Sequence, residues 1–138
     1  MRILYTDGSA SPNPGPGGFA VIENGQPIAL GAEKESTNIR MEGLALKQAL
    51  EVLDGEVAEI RTDSQFWINV LTKWAPGWRA KGWKKSKGEI ANLDIVQPLL
   101  ALYEESNAKI VWLKGHAGEE FNEMADEWAN RARAGETL

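Results

Sequence analysis

The chain has no cysteine among its 138 residues. Disulfides, thiolate metal sites and thiol nucleophiles are therefore excluded. A reducing compartment suits such a chain, so a cytoplasmic protein is expected. Histidine occurs once, at His116, which rules out a site built from several imidazoles. No stretch approaches the ~18 consecutive apolar residues of a membrane-crossing helix. The start, MRILYTDGS, lacks the apolar core of a secretory signal. Internal repeats, low-complexity runs and linkers are missing too. Proline is scarce except in one place: three of the six prolines fall in residues 10–18, ASPNPGPGG. That density excludes helix there and forces an extended, rigid loop.

What remains is ordinary in bulk and uneven in distribution. The chain is 43% hydrophobic and 25% charged, long enough to bury a real core as one domain. A net charge of −5 argues at first against a polyanionic partner. Residues 73–87, however, hold six cations (Lys73, Arg79, Lys81, Lys84, Lys85, Lys87) and no carboxylate, which leaves nine cations facing all 20 acids elsewhere. A basic island on an acidic body is a local footprint for phosphates.

Residues 2–6 read as a buried strand leading to Asp7. GFAVIE and PIALGAEKE are strand-like runs around Asn24-Gly25, a strong hairpin signal. A helix follows, with Thr37 or Asn38 as its N-cap, Met41, Ala45, Ala49 and Val52 on one face and Leu46, Leu50 and Leu53 beside them. Asp54-Gly55 stops it. Residues 57–62 make a short strand into Asp63, and a helix runs from about Ser64 to Trp74. Residues 74–89 break into loop with a short helix. Residues 92–106 form an amphipathic helix, 109–113 a strand, and 121–134 a last helix whose apolar stripe is Phe121, Met124, Ala125, Trp128 and Ala132. The expected class is α/β: a mixed sheet with helices on its faces.

Four acids stand out. Asp7 and Asp63 follow apolar strands, which places both at strand C-termini, where helix-covered sheets bind ligands. Glu42 falls in the first turn of its helix and Asp126 in the first or second turn of the last one. Taken singly, each has an ordinary alternative: Glu42 and Asp126 answer helix dipoles, and Asp7 and Asp63 cap turns. Taken together, they form an oxygen-only donor set, which suits Mg²⁺ or Mn²⁺. Two such ions about 3.5–4 Å apart are the apparatus for in-line displacement at phosphorus. His116, in a Gly-bounded loop, is either plain surface or a proton shuttle. Trp74, Trp78 and Trp83 interleave with the basic island, offering flat faces beside cations, or else form a small local core with Trp74 packed inward. Trp67, Trp112 and Trp128 read as ordinary core.

Five segments in order, YTDGSASPNPGPGGFA, TNIRMEGLALKQAL, TDSQF, WAPGWRAKGWKK and KGHAGEEFNEMADEWA, resemble type 1 ribonuclease H from about Ile3 to Arg131. The resemblance implies a single domain over residues 1–138 with no separate hybrid-binding domain. It implies a five-stranded mixed sheet flanked by helices with a basic protrusion, and a monomer. It implies an endonuclease that cuts the RNA strand of RNA–DNA hybrids with two Mg²⁺ ions (Mn²⁺ as substitute), leaving 5′-phosphate and 3′-hydroxyl ends. The metal-binding carboxylates carry over to Asp7, Glu42, Asp63 and Asp126, and the loop histidine that assists proton transfer or product release carries over to His116. Asn13, Asn38 and Gln65 match minor-groove contacts. Thr37 and Asn92 match a pocket for a DNA phosphate. Trp78 matches a residue stacked on a DNA sugar, and Lys81, Lys84 and Lys85 lie in the matching basic segment. Two departures concern substrate: Glu35 stands where relatives often carry an arginine, and Glu119-Glu120 replace His-Pro. The competing readings are a silent hybrid-binding module, the nuclease part of a retroelement polyprotein, and a DNA strand-transfer domain. Loss of one carboxylate would favour the first, and all four are present. The KGHAG loop and the basic tryptophan island speak against the last.

Overall fold

The computed structural model describes residues 1–85, 87–114 and 120–138. Among these, β1 (Arg2–Ala10), β2 (Gly15–Glu23) and β3 (Gln26–Ser36) precede α1 (Asn38–Leu53). Then come β4 (Ala58–Thr62), α2 (Gln65–Asn69), a π-helical turn (Val70–Trp74) and α3 (Ala75–Ala80). α4 (Leu93–Glu105), β5 (Ala108–Trp112) and α5 (Glu120–Arg133) complete the order. The five strands form one mixed sheet in the order β3-β2-β1-β4-β5. β1, β2 and β3 pair antiparallel, whereas β1–β4 and β4–β5 are parallel.

Local chemistry explains the boundaries. Asn24 and Gly25 both take positive φ, 52° and 74°, as the tight hairpin between β2 and β3 requires. Thr37 is extended, and its hydroxyl oxygen accepts the Arg40 N–H to cap α1. At the other end Asp54 turns left-handed at φ 45°, and its N–H returns to the Leu50 carbonyl.

Helices cover both faces. On one, Leu46, Leu50 and Leu53 of α1 meet Ile95, Leu99 and Leu100 of α4 over Leu4 and Ile60 of the sheet, with Trp67 in the same cluster. On the other, Ala125 and Ala129 of α5 close over Tyr5, Ala20 and Ile22.

Four sequence expectations shift. β1 does not end before Asp7 but runs to Ala10, because β2 pairs with it as far as Ala10↔Gly17. The helix expected over 64–74 changes to π geometry at Val70. Trp112 is not core: at the end of β5 it is 47% exposed. Trp74, expected inward, is 41% exposed, while Trp78 and Trp83 pack against the main core.

Candidate metal centre

Each acid reaches the centre by a separate route. The parallel pairing of β1 with β4 stops at Tyr5↔Arg61, so Asp7 lies just past the parallel part of its strand although it is inside β1. β4 ends at Thr62, and Asp63 is the next residue. Glu42 comes from α1, as the fifth residue of the helix and so in its second turn, not its first. Gly8 makes that approach possible. A Cβ there would lie 2.3 Å from the Met41 carbonyl carbon and 2.5 Å from the Glu42 nitrogen, so the backbones of β1 and α1 are in direct contact. Asp126 is the seventh residue of α5, which lies against β1 and β2.

The result is a tight group. One carboxylate oxygen from each of Asp7, Glu42 and Asp63 lies within 4.8 Å of the others. Asp7 is 7% exposed. Burial, then the charges of Asp63 and Asp126, push its carboxyl far above the usual range, and in its protonated form it hydrogen-bonds Asp126. Burial also lifts Glu42 to about 7, against a hydrogen bond donated by Ser64 that favours its charged form. Carboxylates that hold protons this firmly for want of positive charge are a good fit for a divalent cation. The donors are all hard oxygens, as Mg²⁺ and Mn²⁺ demand.

Around the start of α1 a second group gathers. Asn13 Oδ1 accepts the Asn38 N–H at 3.2 Å, and Asn38 Oδ1 accepts the Ala10 N–H at 2.6 Å. The proline-rich loop is thereby tied to the helix. Asn92 holds a left-handed backbone at φ 58° before α4. Its Oδ1 accepts from Arg40 at 3.3 Å, and Arg40 also pairs with Asp94 at 2.9 Å and Glu33 at 3.2 Å. Thr37, Asn38 and Asn92 thus converge through Arg40 and the α1 cap. Gln65 is exposed at the start of α2. Farther along, the Phe66 and Trp74 ring centroids are 5.8 Å apart, and those of Trp74 and Trp78 6.4 Å. Lys81, Lys84 and Lys85 are exposed beyond them. His116 lies outside the described residues.

Two contributors escaped the sequence reading. Ser64 is 4% exposed, bonds Glu42 and caps α2; the order Asp-Ser-Gln before a helix is a visible capping signal. Arg40 had no such signal, because its carboxylate partners are Glu33 on β3 and Asp94 on α4.

A mixed α/β sheet with an oxygen-only carboxylate cluster where its parallel strands end is the kind of domain that could hold a divalent cation. The family model described as RNase H matches residues 1–134. A ribonuclease H of Methylorubrum extorquens is 42% identical over 135 residues, covering 95% of this chain and 59% of that protein. A ribonuclease H of Syntrophomonas wolfei is 41% identical over 138 residues, covering 94% of each. In fold, the crystal structure of LC9-RNase H1, a type 1 RNase H with the type 2 active-site motif, aligns with a TM-score of 0.81 at 24% identity, over 99% of this chain and 74% of that one. The chain belongs to the ribonuclease H family of nucleases.

Proposed function

We propose that this chain hydrolyses the RNA strand of RNA–DNA hybrids endonucleolytically, leaving 5′-phosphate and 3′-hydroxyl ends. The observation that carries the reading is the convergence of Asp7, Glu42 and Asp63 within 4.8 Å, with Asp126 on Asp7, in a member of this family. These four carboxylates would hold two divalent cations, Mg²⁺ with Mn²⁺ as a substitute. Bound there, the cations supply the charge that activates water near neutral pH and stabilises the leaving 3′ oxygen.

The rest falls to the protein's own side chains. Ser64 orients Glu42 through its hydroxyl. Asn13 and Asn38 commit their Oδ1 atoms to backbone N–H groups and turn their amide donors to the 2′-hydroxyls that distinguish RNA from DNA. Gln65 joins them at the start of α2. Thr37 and Asn92 hold a phosphate of the DNA strand, Trp78 stacks on a DNA sugar, and Lys81, Lys84 and Lys85 grip backbone phosphates. His116 assists proton transfer or product release. Contacts of this kind read groove and backbone, so sequence preference is low.

The test is a labelled RNA–DNA hybrid, a single-stranded RNA and a duplex DNA, each incubated with Mg²⁺ and with EDTA. Cleavage of the hybrid alone, in Mg²⁺ alone, is expected. Cleavage of duplex DNA, or persistence in EDTA, refutes the proposal.

A further inference from the structure

Trp67 is the largest fully buried side chain among the described residues, and its contacts do more than fill space. It follows Asp63 by four positions, and its ring lies on Gly43, the residue after Glu42. A Cβ on Gly43 would come 2.4 Å from Cζ2 and 2.6 Å from Cε2 of the indole. The ring therefore rests directly on the α1 backbone, in space that only glycine leaves open. Its Nε1–H donates to the Ile39 carbonyl at 2.7 Å. That carbonyl belongs to the helical turn whose next N–H partner is Gly43, so the indole bonds the very turn that carries Glu42. The other end of the residue is tied as well: the Trp67 backbone N–H donates to Ser64 Oγ at 3.3 Å, and the Ser64 hydroxyl donates to the Glu42 carboxylate. The contacts form a closed ring, from Glu42 to Ser64 to Trp67 to Ile39 and back along α1.

We infer that Trp67 is a positioning residue for the metal-binding carboxylates, holding Glu42 of α1 in register with Asp63 through its indole N–H and its seat on Gly43. The inference rests on the proposed role of those carboxylates. α1 and β4 share few direct contacts of their own, and Asp63 stands between the end of β4 and Ser64, the cap of α2. A clamp from α2 to the first turns of α1 fixes the separation between Asp63 and Glu42 where the chain itself does not. Groups that orient ligands in this way typically change metal affinity by about ten- to a hundred-fold when removed. Phenylalanine keeps much of the ring but has no N–H. Leucine or valine would leave a void above Gly43.

Trp67→Phe is compared with wild type and with Leu99→Val, a change in α4 in the same core cluster but outside the ring of contacts. Mg²⁺ affinity is measured by calorimetry on the full chain without nucleic acid, and Tm is measured in EDTA. The expected result is a roughly tenfold weaker Mg²⁺ affinity for Trp67→Phe, a fall in kcat at unchanged KM for hybrid, and wild-type affinity for Leu99→Val even though its Tm drops. Affinity unchanged in Trp67→Phe, or weakened equally in both variants, overturns the inference, since a merely structural role predicts one or the other. Should Trp67→Phe fail to fold, Gly43→Ala, which displaces the ring, is read in the same way. A wild type that binds Mg²⁺ but leaves hybrid intact would refute the proposed activity while the affinity comparison still decides the role of Trp67.

Discussion

Asp63 sits at the step from strand to helix, one residue past β4 and next to a buried serine that bonds Glu42. Replacing it by asparagine keeps the shape and removes a charge. Asp63→Asn is expected to abolish cleavage while binding of hybrid, measured by anisotropy, stays near wild type, because phosphate contacts lie elsewhere. Near-normal turnover would sink the metal assignment. The four acids are legible in the sequence because two follow apolar strand-like runs and two stand near helix starts. Two of their placements are not. Asp7 was read at a strand end because strand length is set by the partner, and β2 extends β1 to Ala10. Glu42 is expected in the first turn, but counted from the Thr37 cap, one of the two caps the sequence offers, it is the fifth helical residue and lies in the second. Arg40 and Trp67 were invisible as site-supporting groups, since their partners come from other elements.

Elements carry the substrate side. α1 begins on Thr37, whose oxygen caps Arg40, while Asn13 and Asn38 tie the preceding loop to it. Thr37→Ala is expected to cost about 1 kcal/mol in urea denaturation and to raise KM, since the capping turn also frames Asn92 through Arg40. Loss of stability without a change in KM would separate the cap from the phosphate grip. Arg40 bears on the departure at Glu35. Position 35 offers no cation to the proposed phosphate pocket, and Arg40 beside it is already engaged by Glu33 and Asp94. On the proposed reading, grip on the DNA strand then falls more heavily on the segment after α3. Lys84→Gln with Lys85→Gln is expected to raise KM, leave kcat nearly intact and reduce the slope of log affinity against log salt by up to ~2, at roughly 0.9 per lost duplex phosphate contact. An unchanged slope would remove that segment from the interface. The hairpin, α1 and both of its ends were readable from capping and turn residues. The π-turn at Val70 was not, because no local signal marks a one-residue change in helical pitch.

For the whole molecule the carboxylate cluster opposes the fold that builds it. Glu42 is raised from an ordinary 4.5 to about 7, with Asp7 raised beside it. Between those two values the folded protein holds a proton that the unfolded chain has released. Stability of the cation-free protein from this group therefore falls as pH rises through that window. Carboxylates paired with arginine, such as Glu23 and Asp94, are lowered instead and act below the ordinary range. Tm measured in EDTA is expected to decline from about pH 5 to about pH 7. Added Mg²⁺ should restore it, with a larger gain at the higher pH, where fewer protons compete. A cation effect independent of pH would contradict a shared site for protons and metal.

The closeness of Asp7 and Asp126 has a consequence in time. One lies in the first strand and the other in the last helix, so the centre is completed only when α5 docks over β1 and β2. A nascent chain emerging from the ribosome carries Asp7, Glu42 and Asp63 well before Asp126 is made. On the proposed reading, cutting therefore waits until α5 has been made and docked, and any condition that frays α5 withdraws it while leaving the greater part of the sheet in place.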